Sequence, residues 1–193
     1  MIRSATPDDL GSIVKIYNKV RLDRKKLGNI RYETELQKNG FLLGIDTPEK
    51  ILEEIKETYD FLVEEKNGKI SGYLVADHRD HQKFYDDEYK TWFDLELKDF
   101  YYNNPKGMTI ATLAVDPSFT GKGVATKLLK FLEENLKKED FKYLFSIVTL
   151  APITNCPTII WHTKNGFRRF AMGRPRRLFD LDNYSGVLFY KKL

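Results

Sequence analysis

The sequence predicts a mixed α/β (α+β) fold, a central sheet flanked by helices. Three observations carry this. Two helix-start signals, each followed by apolar residues at helical spacing, stand in the N-terminal part of the chain. An Asn67-Gly68 dipeptide separates two strand-like runs. An apolar strand, Met108–Val115, passes through a glycine turn into an amphipathic helix. Alternation of the two periodicities along one chain places helices against a sheet.

The elements follow in order. Thr6-Pro7-Asp8-Asp9 opens a helix: Thr6 caps, Pro7 suits the first helical position, and the aspartates meet the positive end of the dipole. Leu10, Ile13, Val14 and Tyr17 continue at helical spacing. Residues 21–45 show no clear period. Asp46-Thr47-Pro48-Glu49 repeats the start signal ahead of Ile51, Leu52 and Ile55. The runs Tyr59–Glu65 and Lys69–Asp77 read as a hairpin, because Asn67 and Gly68 both tolerate positive φ. Residues 83–102 hold eight aromatics, and Tyr85, Tyr89, Trp92, Phe93, Leu97 and Phe100 keep helical spacing, so a helical insert is expected there. Met108–Val115 reads as a buried strand ended by Asp116-Pro117. Val124, Leu128, Leu129, Leu132 and Leu136 mark one face of the next helix. Lys142–Leu150 is a strand, Asn155–Asn165 a helix, and Phe167–Gly173 and Ser185–Lys191 the last two strands.

Size and composition bound the function. At 193 residues and 41% hydrophobic, the chain suffices for one core without disulfides, and it reads as a single domain, 1–193. A single cysteine excludes an internal disulfide framework and a cysteine-based zinc site. Three histidines leave little for a histidine-rich metal site, so no metal is expected. The net charge of +4 is too mild to indicate a nucleic-acid binder. No secretory leader and no membrane-length apolar run is visible, and a cytoplasmic protein is expected.

The informative segment is Val115-Asp116-Pro117-Ser118-Phe119-Thr120-Gly121-Lys122-Gly123-Val124-Ala125-Thr126. Glycines at 121 and 123 let the backbone approach a ligand, and the helix that follows offers unpaired N–H groups and a positive dipole end. Such a turn suits a phosphate or pyrophosphate, and it also suits an ordinary strand-to-helix connection. The Walker pattern fails, since Asp116 stands where its first glycine belongs. The dinucleotide pattern fails at Thr126.

These residues give the chain a resemblance to the GNAT superfamily of acyl-CoA-dependent N-acetyltransferases. The family's pyrophosphate loop, [QR]-x-x-G-x-[GA], is matched at Gly123 and Ala125, with Thr120 in place of Gln or Arg. The preceding strand carries Ile110, Leu113 and Val115 in the family's spacing. A second motif, N-x-x-[AS]-x-x-[LF]-Y-x-K-x-G-F, is matched at Asn155, Lys164, Gly166 and Phe167, with Thr158, Trp161 and His162 as departures. The resemblance implies a mainly antiparallel central sheet and acetyl-CoA as cofactor. It implies pantetheine contacts along Leu113, Ala114 and Val115, and a pyrophosphate held by Gly121, Lys122, Gly123, Val124, Ala125 and Thr126. Asn155 would reach the pantetheine or adjoining backbone, and Lys164 the adenosine phosphate end.

The reaction so implied is direct attack of a primary amine on the thioester in a ternary complex. It needs a neutral amine, a donor for the oxyanion, and a proton for the departing thiolate. The family's tyrosine for that last role is His162 here. Three readings of His162 are open: a protonated acid, a hydrogen-bond partner of the sulfur, or a helix residue beside a water that supplies the proton. No base stands out; Asp77 is a candidate, Thr112, Ser146 and Thr149 read first as core hydroxyls, and Tyr184 and Tyr190 are alternatives for acid work.

Two charge blocks bear on the acceptor. Residues 77–104 hold eight acids against four basic residues, so the insert, Trp92 included, suits a cationic amine, or packs its aromatic face on the domain or on a second subunit as a homodimer. Residues 164–177 hold six basic residues and no acid; Arg174, Arg176 and Arg177 suit an acidic substrate or nucleic acid, or form a solvated loop. With little aromatic alternation the loop argues against nucleic acid. The functions in contention are an N-acetyltransferase acting on a small-molecule or peptide amine, a non-catalytic acyl-CoA-binding or sensor domain of the same fold, and a basic-loop binding protein without CoA.

Overall fold

The computed structural model describes residues 1–44, 46–78, 90–92, 97–98, 101, 106–178 and 180–193. Its strands are β1 (Ile2–Ser4), β2 (Asp60–Lys66), β3 (Lys69–Asp77), β4 (Lys90–Trp92), β5 (Gly107–Val115), β6 (Tyr143–Ala151), β7 (Arg168–Gly173), β8 (Arg176–Leu178) and β9 (Leu181–Lys192). Its helices are α1 (Leu10–Val20), α2 (Ile30–Asn39), α3 (Pro48–Glu57), α4 (Val124–Lys138) and α5 (Cys156–Lys164).

The described strands form one sheet in the order β1-β2-β3-β5-β6-β9-β7-β4, with β8 paired to β9. Every pairing is antiparallel except β5 with β6. The expected mixed, mainly antiparallel sheet flanked by helices is therefore the architecture observed.

Helices cover both faces. On one, α1 and α3 pack Ile13, Ile16, Tyr17 and Ile51 onto Phe61, Val63, Tyr73, Val75 and Ala114. On the other, α4 lays Val124, Leu128, Leu129, Leu132 and Leu136 onto Leu62, Leu74, Met108, Ile110, Leu144 and Val148, joined by Phe167 and Phe189. Alternation along the strands sends odd and even residues to opposite faces, which is why both clusters are apolar. The start of α1 is fixed where expected: Asp9 accepts from the Thr6 backbone N–H at 2.8 Å and from both terminal nitrogens of Arg3 at 2.7 and 2.9 Å.

Three elements were not legible. The period-free stretch at 21–45 contains α2, whose inward face buries only Leu36. Strands β1 and β8 are too short to show a pattern. The helical insert expected over 83–102 is corrected at 90–92, which is strand β4 pairing antiparallel with β7. The backbone groups along that side of β7 require partners, and ladder bonds override side-chain period. Leu97, of the helically spaced set, and Tyr101, one of the eight aromatics, are helical and buried against Phe145, Phe170 and Leu188, so both pack on the chain itself. The rest of the insert lies outside the described residues.

Candidate active site

The site begins with a defect in β5. Opposite β3, Val75 pairs with Thr112 and Ala76 with Ile110, leaving Ala111 as a bulge. A bulge kinks its strand and increases the local twist. The parallel ladder to β6 ends at the same height, with Ile110 opposite Ser146. Beyond it, among the described residues, Thr112–Val115 pair only with β3, and Ile147–Ala151 only with β9. The sheet is thus split near its middle. One strand edge on each side of the split carries backbone donors and acceptors without a ladder partner, room for an extended ligand that hydrogen-bonds as a strand would.

The glycine turn stands where β5 ends. Gly121 and Gly123 have φ of +77° and +78°, the left-handed region that other L-residues enter only with strain, and a methyl group at either would meet nothing within 4 Å. The first helical bond of α4 runs from Lys127 N–H to Gly123 O, so the N–H groups of Val124, Ala125 and Thr126 precede the ladder. Lys122 differs from expectation: its N–H donates within the turn to Phe119 O at 3.2 Å, and its Nζ folds back to Ser118 O at 2.8 Å. Without a ligand, Lys122 thus serves the turn itself.

A strap, residues 19–44, is tied to both banks of the split. At the β5 bank, Lys19 Nζ lies 2.7 Å from Asp116, whose carboxylate also accepts from Ser118 N–H and Oγ. These donors outweigh burial and hold the Asp116 carboxyl down at about 2. At the β6 bank, Asn155 Nδ2 donates to Phe41 O at 2.8 Å. Between the two, Leu22 N–H donates to Leu42 O and Leu42 N–H to Val20 O. Leu22, Leu36 and Phe41 then pack on Ile153, Leu181 and Tyr184. The partners Lys19, Phe41 and Arg24 (its Nε is buried and, among the described residues, has no partner) were missed from sequence, since nothing local marks them.

Helix α5 carries the second motif. Asn155 is buried, with Nδ2 on Phe41 O and Oδ1 accepting from Thr158 Oγ1 at 2.8 Å, so it serves the adjoining backbone. Trp161 Nε1 donates to Thr126 Oγ1 at 3.2 Å, which docks α5 against the first turn of α4. Lys164, one turn past Trp161, is exposed. His162 is 3% exposed and boxed by Trp161, Phe167 and Phe189, with ring centroids at 4.9–5.0 Å. Burial pushes its pKa down to about 4, against the opposing pull of the Thr158 carbonyl. The neutral ring donates Nδ1–H to that carbonyl at 2.7 Å, and Nε2 carries a lone pair. Of the three readings open for His162, the protonated acid is the one a neutral ring with its single proton on the Thr158 carbonyl argues against.

The other candidates scatter. Asp77 and Tyr190 lie in the closed part of the sheet, opposite Thr109 and Phe145. Tyr184 lies past the closed part, its phenol oxygen over Gly186. Arg174 is exposed, Arg176 sits in β8 opposite Tyr184, and Arg177 faces Asp180 and Asp182 at 3.8 and 3.7 Å, exposed pairs of little energetic weight. The acceptor role expected of the Trp92 side chain lies outside the described residues.

Known proteins share this fold. No curated protein sequence matches the chain. Among solved structures, the ribosomal-protein-S18-alanine N-acetyltransferase of Escherichia coli superimposes with a TM-score of 0.64 at 15% identity, over 100% of this chain and 92% of its own. A ribosomal-protein-alanine N-acetyltransferase of Brucella melitensis gives 0.63 at 17%, over 100% and 99%. PaiA N-acetyltransferase of Thermoplasma acidophilum, in complex with coenzyme A, gives 0.61 at 17%, over 100% and 98%. At these identities the likeness establishes the fold. The acetyltransferase (GNAT) family profile matches residues 29–167, a stretch that contains the bulged strand, the glycine turn and α5. On that match, and with the split sheet already seen, the chain belongs to the GNAT acetyltransferase family, whose cofactor is acetyl-CoA.

Proposed function

We propose that the protein is an N-acetyltransferase that moves an acetyl group from acetyl-CoA to a primary amine by direct attack in a ternary complex. The observation that carries this reading is the coincidence of three features: a ladder that ends at Ile110 and Ser146, a bulge at Ala111, and a glycine turn at the end of the same strand. The residues suit the group. The free edge of Leu113, Ala114 and Val115 would pair with the pantetheine. The N–H groups of Gly121, Gly123, Val124, Ala125 and Thr126 would take the pyrophosphate, and Lys164 would serve the adenosine phosphate end. When bound, acetyl-CoA supplies a thioester activated for transfer.

The chain's own part is positioning and electrostatics. A backbone N–H on β5 beside the bulge would stabilise the oxyanion. The strap would exclude water above the split and frame the acceptor channel on the α1 face. Arg174 and Arg176 would meet an acceptor carrying negative charge.

Acetyl-CoA at 100 times its Kd should stabilise the protein by about 2.7 kcal/mol, raising Tm by roughly 5–11 °C for a chain of this size. Release of free thiol with one of a panel of amines completes the test. No stabilisation would reject CoA binding altogether. Stabilisation without thiol release from any amine would make the chain a non-catalytic acyl-CoA-binding domain, a reading favoured by the neutral His162.

A further inference from the structure

We propose that the acceptor carries a carboxylate beside its amine, and that the guanidinium of Arg24, in the strap, holds that carboxylate while the amine faces the split. This rests on the acetyltransferase reading above and narrows its substrate class.

Arg24 opens a short 3-10 turn, Arg24–Lys26, which Asp23 caps by accepting from the Lys25 N–H at 3.1 Å. Its neighbours Lys25 and Lys26 are exposed, whereas Arg24 is half-buried. Nη2 donates to Leu43 O at 2.8 Å, and Nε is sealed from water with no acceptor among the described residues. A buried donor left without an acceptor is costly, most of all on a charged group. Nη1 likewise has no acceptor among the described residues and, unlike Nε, reaches solvent. No acid answers the charge either. Within the strap, Lys19 pairs with Asp116, Lys26 with Asp23 and Arg31 with Glu35, but Arg24 forms no ion pair among the described residues. The result is a permanent cation on a wedged stem, with its planar fork held ready for a carboxylate.

The strap sets where that cation stands. Leu43, whose carbonyl holds Nη2, packs against the cluster of Ile153, Leu181 and Tyr184 on the β6 and β9 bank. The next carbonyl, of Gly44, accepts from the Tyr17 phenol at 2.7 Å, and Tyr17 packs with Ala114 on the free edge of β5. Arg24 is thus lodged where the strap passes from one bank to the other, on the α1 face. Burial raises the Tyr17 phenol, and the charges of Arg21 and Arg24 pull against it, so the guanidinium is close enough to act on that ring. One cation balances one negative charge, as on a carboxylate, where a phosphate monoester carries roughly two. Arg174 is exposed and its field is screened by salt, so it steers an anionic acceptor, whereas the half-buried Arg24 discriminates. A free amino acid and a peptide with an acidic residue beside its reacting amine share this chemistry.

Steady-state thiol release with acetyl-CoA tests the assignment on matched acceptors. Amino acids are compared with their α-carboxamides, and C-amidated Ala-Glu-Ala peptide with Ala-Gln-Ala. In one of the two series the carboxylate member should win by about 10- to 100-fold in kcat/KM, the effect of one hydrogen bond to a charged group. The series that shows the gap names the source. Arg24→Gln should close the gap by raising KM for the carboxylate member, with its kcat held within a few-fold, while acetyl-CoA affinity by calorimetry holds. Arg24→Lys keeps the charge without the fork, should retain part of the gap, and stands in if Arg24→Gln melts early. A wild type without a gap overturns the assignment. So does an Arg24→Gln variant that keeps the gap or loses turnover equally on both members of a pair. A wild type that binds acetyl-CoA but acetylates only amines without a carboxylate, or no member of the panel, overturns it too. A wild type that does not bind acetyl-CoA instead rejects the acetyltransferase reading.

Discussion

Asn155 shows how a motif residue acquires a local job. Its amide donates to Phe41 O and accepts from Thr158 Oγ1, both at 2.8 Å, in a site that is 5% exposed. Truncation leaves a buried carbonyl unpaired, so Asn155→Ala should cost about 1–3 kcal/mol in urea unfolding and make the strap the first point of proteolysis. The sequence marks Asn155 through its motif, but Phe41 lies far away in the chain, and a carbonyl bears no residue-type signature. The same holds for Lys19 and Asp116. At His162 the residue type was visible and its state was not, because protonation is decided by Trp161, Phe167 and Phe189, which only the fold assembles. His162→Phe should leave kcat within a few-fold of the wild type, measured by thiol release.

Among the elements, the strand–turn–helix from β5 to α4 was the most legible, since glycines at 121 and 123 announce backbone geometry directly. Gly123 caps α4 at φ +78°. Gly123→Ala should cost about 1–2 kcal/mol through left-handed strain, and its methyl would stand in the space offered to the pyrophosphate. Calorimetry should therefore show CoA affinity falling together with Tm, whereas a merely structural glycine would lower Tm alone. The bulge at Ala111 was illegible for the opposite reason. Alanine has no conformational signature, and Met108–Val115 reads as an unbroken strand; the irregularity shows only in the register against β3. Helix α2 was hidden because it buries a single leucine, too little to produce a period.

Across the whole molecule, two groups far apart in the structure set opposing pH responses. His162 titrates at about 4 when folded and near 6.5 when unfolded, so the unfolded chain takes up the proton first and stability falls as pH drops from 6.5 toward 4. Burial raises the Asp60 carboxyl to about 6 from 3.8, so the folded chain holds that proton and stability falls as pH rises from 3.8 toward 6. The wild type should therefore show a nearly flat Tm from about pH 4.5 to 6. Thermal melts should find that His162→Phe becomes less stable with rising pH across this window, and Asp60→Asn more stable. The overall architecture was readable because helix starts, a hairpin turn and apolar periods are local, whereas strand order and the split depend on pairings between distant segments.

The split also has a consequence for hydrogen exchange. In most sheets the central strand holds the slowest amides and the rims the fastest. Here β5 lies in the interior of the order yet ends as a rim strand past Ile110. Amides of 111–115 that face the split should exchange with solvent far sooner than those of 107–110 on the same strand. A ligand that pairs with that edge would complete an unfinished sheet, and protection should then appear in the middle of the molecule, where an ordinary fold would already have had it.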